Sequence, residues 1–144
     1  MNPLNSLSEY EAFIYGLAQQ FPSIVYSTLL VVRRGAGTAL VRGEVVFGGG
    51  VRLVMSERLM LDDGLIQIVS YGYEVWRGAE KLYWYDSQPH PDDATLVSTL
   101  PHHKHVPPDI KHHRIPAPGL SFKLPNLPFL IAEIEKEFLP DPAT

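Results

Sequence analysis

The side chains best suited to chemistry are crowded into one stretch. All six histidines of the 144-residue chain, and seven of its thirteen prolines, fall between Pro89 and Pro118. The run reads Tyr85-Asp86-Ser87-Gln88-Pro89-His90, then Pro101-His102-His103-Lys104-His105, and continues through Lys111, His112 and His113 to Arg114. An imidazole gains and loses its proton near neutral pH, so it can act as base or acid. Preorganised lysine and arginine can hold the charge of a phosphorane. Together these are the needs of RNA cleavage by the substrate's own 2′-hydroxyl, a reaction that requires no metal. On this reading His102, His103 and His105 form the acid–base pool, and His90 is a fourth member. Lys104 stabilises phosphate charge and Asp86 orients a histidine. Lys111 and Arg114 bind the RNA backbone, and Tyr71, Tyr73 and Tyr85, with Trp84, offer faces on which bases stack.

Two other readings use the same residues. Imidazoles with Asp86 could ligate zinc or a related ion. However, His103 and His105 stand two apart rather than at the four-residue spacing of a helix, and Lys104 between them would repel a cation. The expectation is therefore no metal and no cofactor. Alternatively, a segment rich in histidine and proline is a structural or partner-docking surface, binding another protein or DNA without catalysis. Like-charge repulsion within the segment is expected to lower some of the imidazole pKa values.

The rest of the sequence must position this segment. Ser6 and Ser8 each begin a capping box, and Tyr10, Phe13, Ile14, Leu17 and Phe21 recur at helical spacing, predicting a helix from Ser8 to Gln20 that stops before Pro22. Strands are expected over Ile24 to Val32, Thr38 to Phe47, Val51 to Leu61, Leu65 to Trp76 and Lys81 to Tyr85. Gly48-Gly49-Gly50, Asp62-Asp63-Gly64 and Arg77-Gly78-Ala79-Glu80 supply the turns between them. Such short links favour an antiparallel meander. Residues 86–118 are then an ordered loop or an edge segment, because proline breaks helices and central strands alike. A last helix runs from Asn126, its expected N-cap, through Leu127, Leu130, Ile131 and Ile134 to Phe138, with Pro128 in the first turn. The fold class is α+β: one antiparallel sheet of four to six strands packed on N- and C-terminal helices, in a single domain over residues 1–144.

Composition narrows the options. The net charge is −4 with neutral histidines. That argues against a broad electrostatic footprint for nucleic acid and leaves a local basic patch as the means of binding it. There are no cysteines, so disulfides and thiolate metal sites are excluded. No apolar run is long enough to span a membrane, and the first ten residues lack the pattern of a signal peptide. The expectation is a cytoplasmic protein with no membrane partner, open to homo-oligomerisation.

The run from Ser70 to Arg114 resembles the TumE family of toxin–antitoxin proteins. That pattern is a Y-x-Y strand, an R-Y-D-x-x-P-H strand end and T-x-P-H-H-K-H. Here it reads Tyr71-Gly72-Tyr73, then Trp84-Tyr85-Asp86-Ser87-Gln88-Pro89-His90, then Thr99-Leu100-Pro101-His102-His103-Lys104-His105. Val106 to Pro118 and the hairpin from Gly43 to Leu61 are also similar to the family. The resemblance implies a toxin restrained by a cognate antitoxin, and a compact ribonuclease of the RelE/barnase-like kind acting on RNA. The chain departs from the pattern at Trp84, where the family has arginine; Lys81 or Lys104 would have to supply that charge.

Overall fold

The computed structural model describes residues 2–140. Ser6 starts the first helix, α1 (Leu7–Tyr15), its hydroxyl accepting from the Glu9 N–H at 3.1 Å. The helix expected to run on to Gln20 stops at Gly16, and α2 (Leu17–Gln20) is a separate single turn. Eight antiparallel strands follow: β1 (Ile24–Ser27), β2 (Leu30–Arg34), β3 (Thr38–Phe47), β4 (Val51–Asp62), β5 (Leu65–Arg77), β6 (Glu80–Asp86), β7 (His103–His105) and β8 (Arg114–Pro116). They form one sheet in the order β1-β3-β4-β5-β6-β7-β8, with β2 also pairing β3. The closing helix, α3 (Leu127–Phe138), buries Leu127, Leu130, Ile131 and Ile134 completely. Each such side chain contributes about 1.5–3 kcal/mol.

The α+β class stands, but the sheet has eight strands rather than four to six, for two reasons. The stretch expected as one strand, Ile24 to Val32, splits so that β1 pairs the end of β3 and β2 pairs its start. The break folds over Gly43, whose φ is 137° and where a Cβ would lie 2.7 Å from the Thr28 carbonyl oxygen. Only glycine suits that position. Second, the proline-rich segment contains the short antiparallel hairpin β7–β8, which extends the sheet beyond β6. Asn126 holds the N-cap position of α3 but does not cap it. Its amide accepts from the Ser121 N–H at 2.9 Å and donates to the Tyr73 hydroxyl at 3.0 Å.

The sheet has two unlike faces. In β4, Val51, Leu53, Met55, Glu57 and Leu59 are buried, whereas Arg52, Val54, Ser56, Arg58 and Met60 are half-buried or exposed. The buried phase carries the core, where α1 and α3 pack: Tyr10 of α1 donates to Glu57 at 2.5 Å, and Tyr85 of β6 donates to Glu133 of α3 at 2.9 Å. In β5 the buried positions shift from Ile66 and Ile68 to Tyr71, Tyr73 and Val75, because a bulge places an extra residue, Val69, opposite the Arg58–Leu59 step. That explains why the alternation in this strand is only partial in the sequence. The other face of the sheet stays open beside β4 and β5, and the histidine segment joins its far edge.

Candidate functional site

Three strand ends build the site on the open face. Pairing sets Trp84 opposite His105, Asp86 opposite His103, and His105 opposite Arg114. Residues directly opposite share a face. His103 and His105, two apart on a strand, therefore point the same way, toward Asp86. His103 Nε2 lies 2.9 Å from Asp86 Oδ1, His105 Nε2 lies 3.4 Å from Asp86 Oδ2, and the two Nε2 atoms are 3.1 Å apart. Each imidazole is anchored from behind: His103 Nδ1 is 3.0 Å from the Pro101 carbonyl and His105 Nδ1 is 2.8 Å from the Ile110 carbonyl. A carbonyl only accepts, so both Nδ1 atoms carry the proton. In a neutral ring Nε2 is then a bare lone pair. Both histidines are buried, and Asp86 is the group that reaches solvent, its side chain 29% exposed.

The surroundings tune the three groups unequally. Burial disfavours the charged form of His103, but the Asp86 hydrogen bond and the Pro101 carbonyl outweigh it, and its pKa is raised. For His105 burial prevails over Asp86 and the Ile110 carbonyl, and the pKa is lowered. Burial would push the Asp86 carboxyl up; the His103 hydrogen bond, the Gln88 N–H and both imidazoles together hold it below the usual carboxylate range. His90 and His102 are also lowered, with burial the larger cause and like charge the smaller. Some imidazoles are thus lowered, but chiefly by desolvation rather than by the repulsion expected from their crowding.

His90 and Arg114 complete the site. The His90 ring stands 4.8 Å from that of His103, and Arg114 Nη1 donates to His90 Nδ1 at 2.6 Å. This contact leaves the His90 proton on Nε2. Arg114 Nε is buried with no hydrogen-bond partner among the described residues. Both residues line a cleft of about 530 Å³, together with Pro89, Asp92 and Asp93. On the other side of Asp86 lies Gly72, its neighbour across the β5–β6 ladder; a Cβ there would meet only Ser56 Oγ, at 3.8 Å. The sheet floor beside the carboxylate is therefore clear of side chains.

The chain matches the family model described as "Toxin TumE" over residues 14–138. It belongs to the TumE toxin family. The matched region contains every residue of the site. No curated protein and no solved structure matches the chain.

The TumE motif Pro101-His102-His103-Lys104-His105 is split by the pleat. His102 and Lys104 point to the core face, away from His103 and His105. His102 Nδ1 is 2.7 Å from the Tyr71 hydroxyl, and its ring stacks on Tyr71. Lys104 is paired with Glu133 at 3.2 Å and lies over the Tyr83 ring at 4.2 Å, with 14% of its side chain exposed. Tyr71, Tyr73 and Tyr85 are also on the core face, and all three are buried. Burial pushes their hydroxyls well above the usual range. The structure brings Asp86, His90, His103, His105 and Arg114 together; it does not bring His102, Lys104 or these tyrosines to them. Lys111 is exposed in the turn between β7 and β8, next to Ile110, whose carbonyl anchors His105. The two objections to a metal also change. Two-residue spacing is the correct spacing on a strand, and Lys104 does not stand between the imidazoles.

Sequence reasoning named Trp84 and Lys81 but passed over Arg42, Arg52, Arg58 and Trp76, which share the open face with them. Arg42, Arg52 and Arg58 project there, as do Trp76, Lys81 and Trp84. Arg52 pairs with Glu44 at 3.2 Å and Lys81 with Glu74 at 3.1 Å, whereas Arg42 and Arg58 have no ion pair among the described residues. The signal was the alternation of Arg52, Val54, Ser56 and Arg58 with apolar residues. Lys81 Nζ lies 3.8 Å over the Trp84 ring. Of the two lysines able to replace the family arginine at Trp84, Lys81 is therefore on the site's face and Lys104 is on the other.

Proposed function

We propose that this TumE toxin is an endoribonuclease whose centre is Asp86, His103, His105, His90 and Arg114. The observation that carries this reading is that all five meet on the open sheet face, at the end of a strip of arginines and indoles. Arg42, Arg58 and Arg52 hold the RNA backbone by charge, and Trp76 and Trp84 with Lys81 give a partly exposed surface for bases. The Asp86–His103–His105 centre accepts the 2′-hydroxyl proton. The 2′-oxygen bonds to phosphorus, the bond from phosphorus to the 5′-oxygen breaks, and His90 Nε2–H protonates that leaving oxygen. The products are a 2′,3′-cyclic phosphate and a 5′-hydroxyl. Arg114 holds the phosphorane charge with its guanidinium. On this reading the protein works in the cytoplasm and a co-encoded antitoxin restrains it.

The test is expression of wild-type, His90→Ala and Arg114→Gln forms, following growth and RNA integrity, with cleavage of a short RNA by the purified proteins. Both substitutions should lower the cleavage rate by about 10²–10³-fold, the usual loss for a proton donor or charge stabiliser. Growth arrest with RNA intact, or undiminished cleavage by both variants, would refute the assignment.

A further inference from the structure

We infer that Asp86, His103 and His105 bind a divalent first-row transition ion such as zinc. Lone-pair atoms of three residues converge there: Asp86 Oδ1 on His103 Nε2 at 2.9 Å, Asp86 Oδ2 on His105 Nε2 at 3.4 Å, and Nε2 on Nε2 at 3.1 Å. Both Nδ1 atoms are committed to backbone carbonyls, so neither ring can turn its proton inward without losing a buried hydrogen bond. A single added proton on His103 satisfies its contact with Asp86 and leaves the His105 lone pair facing the second carboxylate oxygen. A cation at the centre satisfies all three contacts.

The dimensions suit an ion. Three ligands at about 2.1 Å from one centre stand about 3.0 Å apart when the bonds are at right angles, and about 3.4 Å apart in a tetrahedron. The two Nε2 atoms, 3.1 Å apart, fall in that range, the two carboxylate oxygens lie 2.9 and 3.4 Å from them, and one ligand atom from each of the three residues lies within 4.8 Å of the others. Nitrogen, nitrogen and carboxylate oxygen form a donor set for zinc, iron or manganese rather than calcium or magnesium. Backbone carbonyls behind the ligating imidazoles fix ring orientation and raise basicity, as the partners of metal-bound histidines do. Buried imidazoles close one side; the partly exposed Asp86 and the bare backbone of Gly72 leave the other open to water or substrate.

An ion here would supply, at the phosphorane, the positive charge that Lys104 cannot supply from the opposite face. The 2′-hydroxyl proton would then pass to a hydroxide held by the ion, leaving water there, since both Nε2 atoms are ligands. That use of the ion rests on the RNA-cleavage reading; its binding does not.

The experiment is calorimetric titration of chelator-treated full-length protein with Zn²⁺, with Co²⁺ absorption as a second probe and no RNA present. Wild type should bind one equivalent, as should the His112→Ala/His113→Ala double variant, whose exposed imidazoles are the obvious competitors. Asp86→Asn and His105→Gln should each bind more than about a hundredfold more weakly, exceeding the loss typical of a partner that merely orients a ligand. Nitrogen NMR of the wild type covers the case in which a variant fails to fold: Zn²⁺ should shift Nε2 of two imidazoles that keep their Nδ1 protons. No stoichiometric binding by wild type, undiminished binding by both centre variants, or loss of binding with His112 and His113 would overturn the proposal. Stoichiometric zinc without RNA cleavage would refute the ribonuclease reading and leave this one standing. Cleavage by a protein that binds no zinc would do the reverse.

Discussion

Removing the two arginines of the open face that lack ion pairs should weaken RNA binding without disturbing the fold. Arg42 and Arg58 are exposed and project from neighbouring strands, β3 and β4. Pairing places Arg42 in one row with Ser56, Gly72 and Asp86. Three strand steps of about 4.8 Å separate Arg42 from Asp86, so a backbone cleaved at the centre passes within about 14 Å of it. Neutralising one phosphate on single-stranded nucleic acid adds about 0.7 to the slope of log affinity against log salt. In Arg42→Gln/Arg58→Gln the slope should therefore fall by about 1.4. If the two proteins bind equally at about 1 M salt, the variant is weaker by about 25-fold at about 0.1 M.

The assay is fluorescence anisotropy of a labelled single strand with its 2′-hydroxyls methylated, so that it binds and is not cleaved, titrated at several salt concentrations. Lys136→Gln serves as the comparison, since Lys136 is exposed on α3, across the sheet from the open face. Surface changes of this kind alter stability by about 0.5 kcal/mol or less, so melting should not move appreciably. An unchanged slope in the double variant, or an equal fall in Lys136→Gln, would show that RNA does not lie on this face.

Gly72→Val should lower RNA cleavage while leaving melting unchanged or slightly raised, because its Cβ has room but its methyls would occupy the floor beside Asp86; cleavage at the wild-type rate in a folded protein contradicts a substrate path over Gly72. Gly43→Ala should destabilise by more than about 1 kcal/mol, read from urea unfolding, since the new Cβ would strike the Thr28 carbonyl at an unfavourable φ. Glu57 governs a pH effect on stability. Burial raises its carboxyl pKa, only partly offset by the hydroxyls of Tyr10 and Tyr73. A group with a raised folded pKa contributes fully below its unfolded value of about 4.3, and that contribution is lost as pH rises through the folded value. Glu57→Gln should accordingly show a smaller loss of urea stability than wild type between about pH 4.5 and 7.5; parallel curves would mean that Glu57 stays ionised.

The long strands were legible because their burial alternates residue by residue, and the helices because their apolar positions recur at helical spacing. The site was legible in composition but not in geometry. His103-Lys104-His105 has no meaning as a loop; on a strand the same three residues divide between two faces. Three-residue strands carry no periodicity, and the prolines around β7 argued only against a central strand; the β7–β8 hairpin lies at the edge of the sheet. Glu57 was readable in principle, as the one charge in the apolar phase of Val51 to Leu59, but its partners Tyr10 and Tyr73 lie 47 and 16 residues away. Glu133, which takes Lys104 out of the site, is 29 residues downstream on α3. That contact also assigns a role to the other half of the motif. Slipping β7 by one residue against β6 would send His103 and His105 to the core and bring His102 and Lys104 to Asp86. The His102–Tyr71 and Lys104–Glu133 contacts oppose that slip. The residues of the motif that face away from the site therefore hold the register that places the others in it.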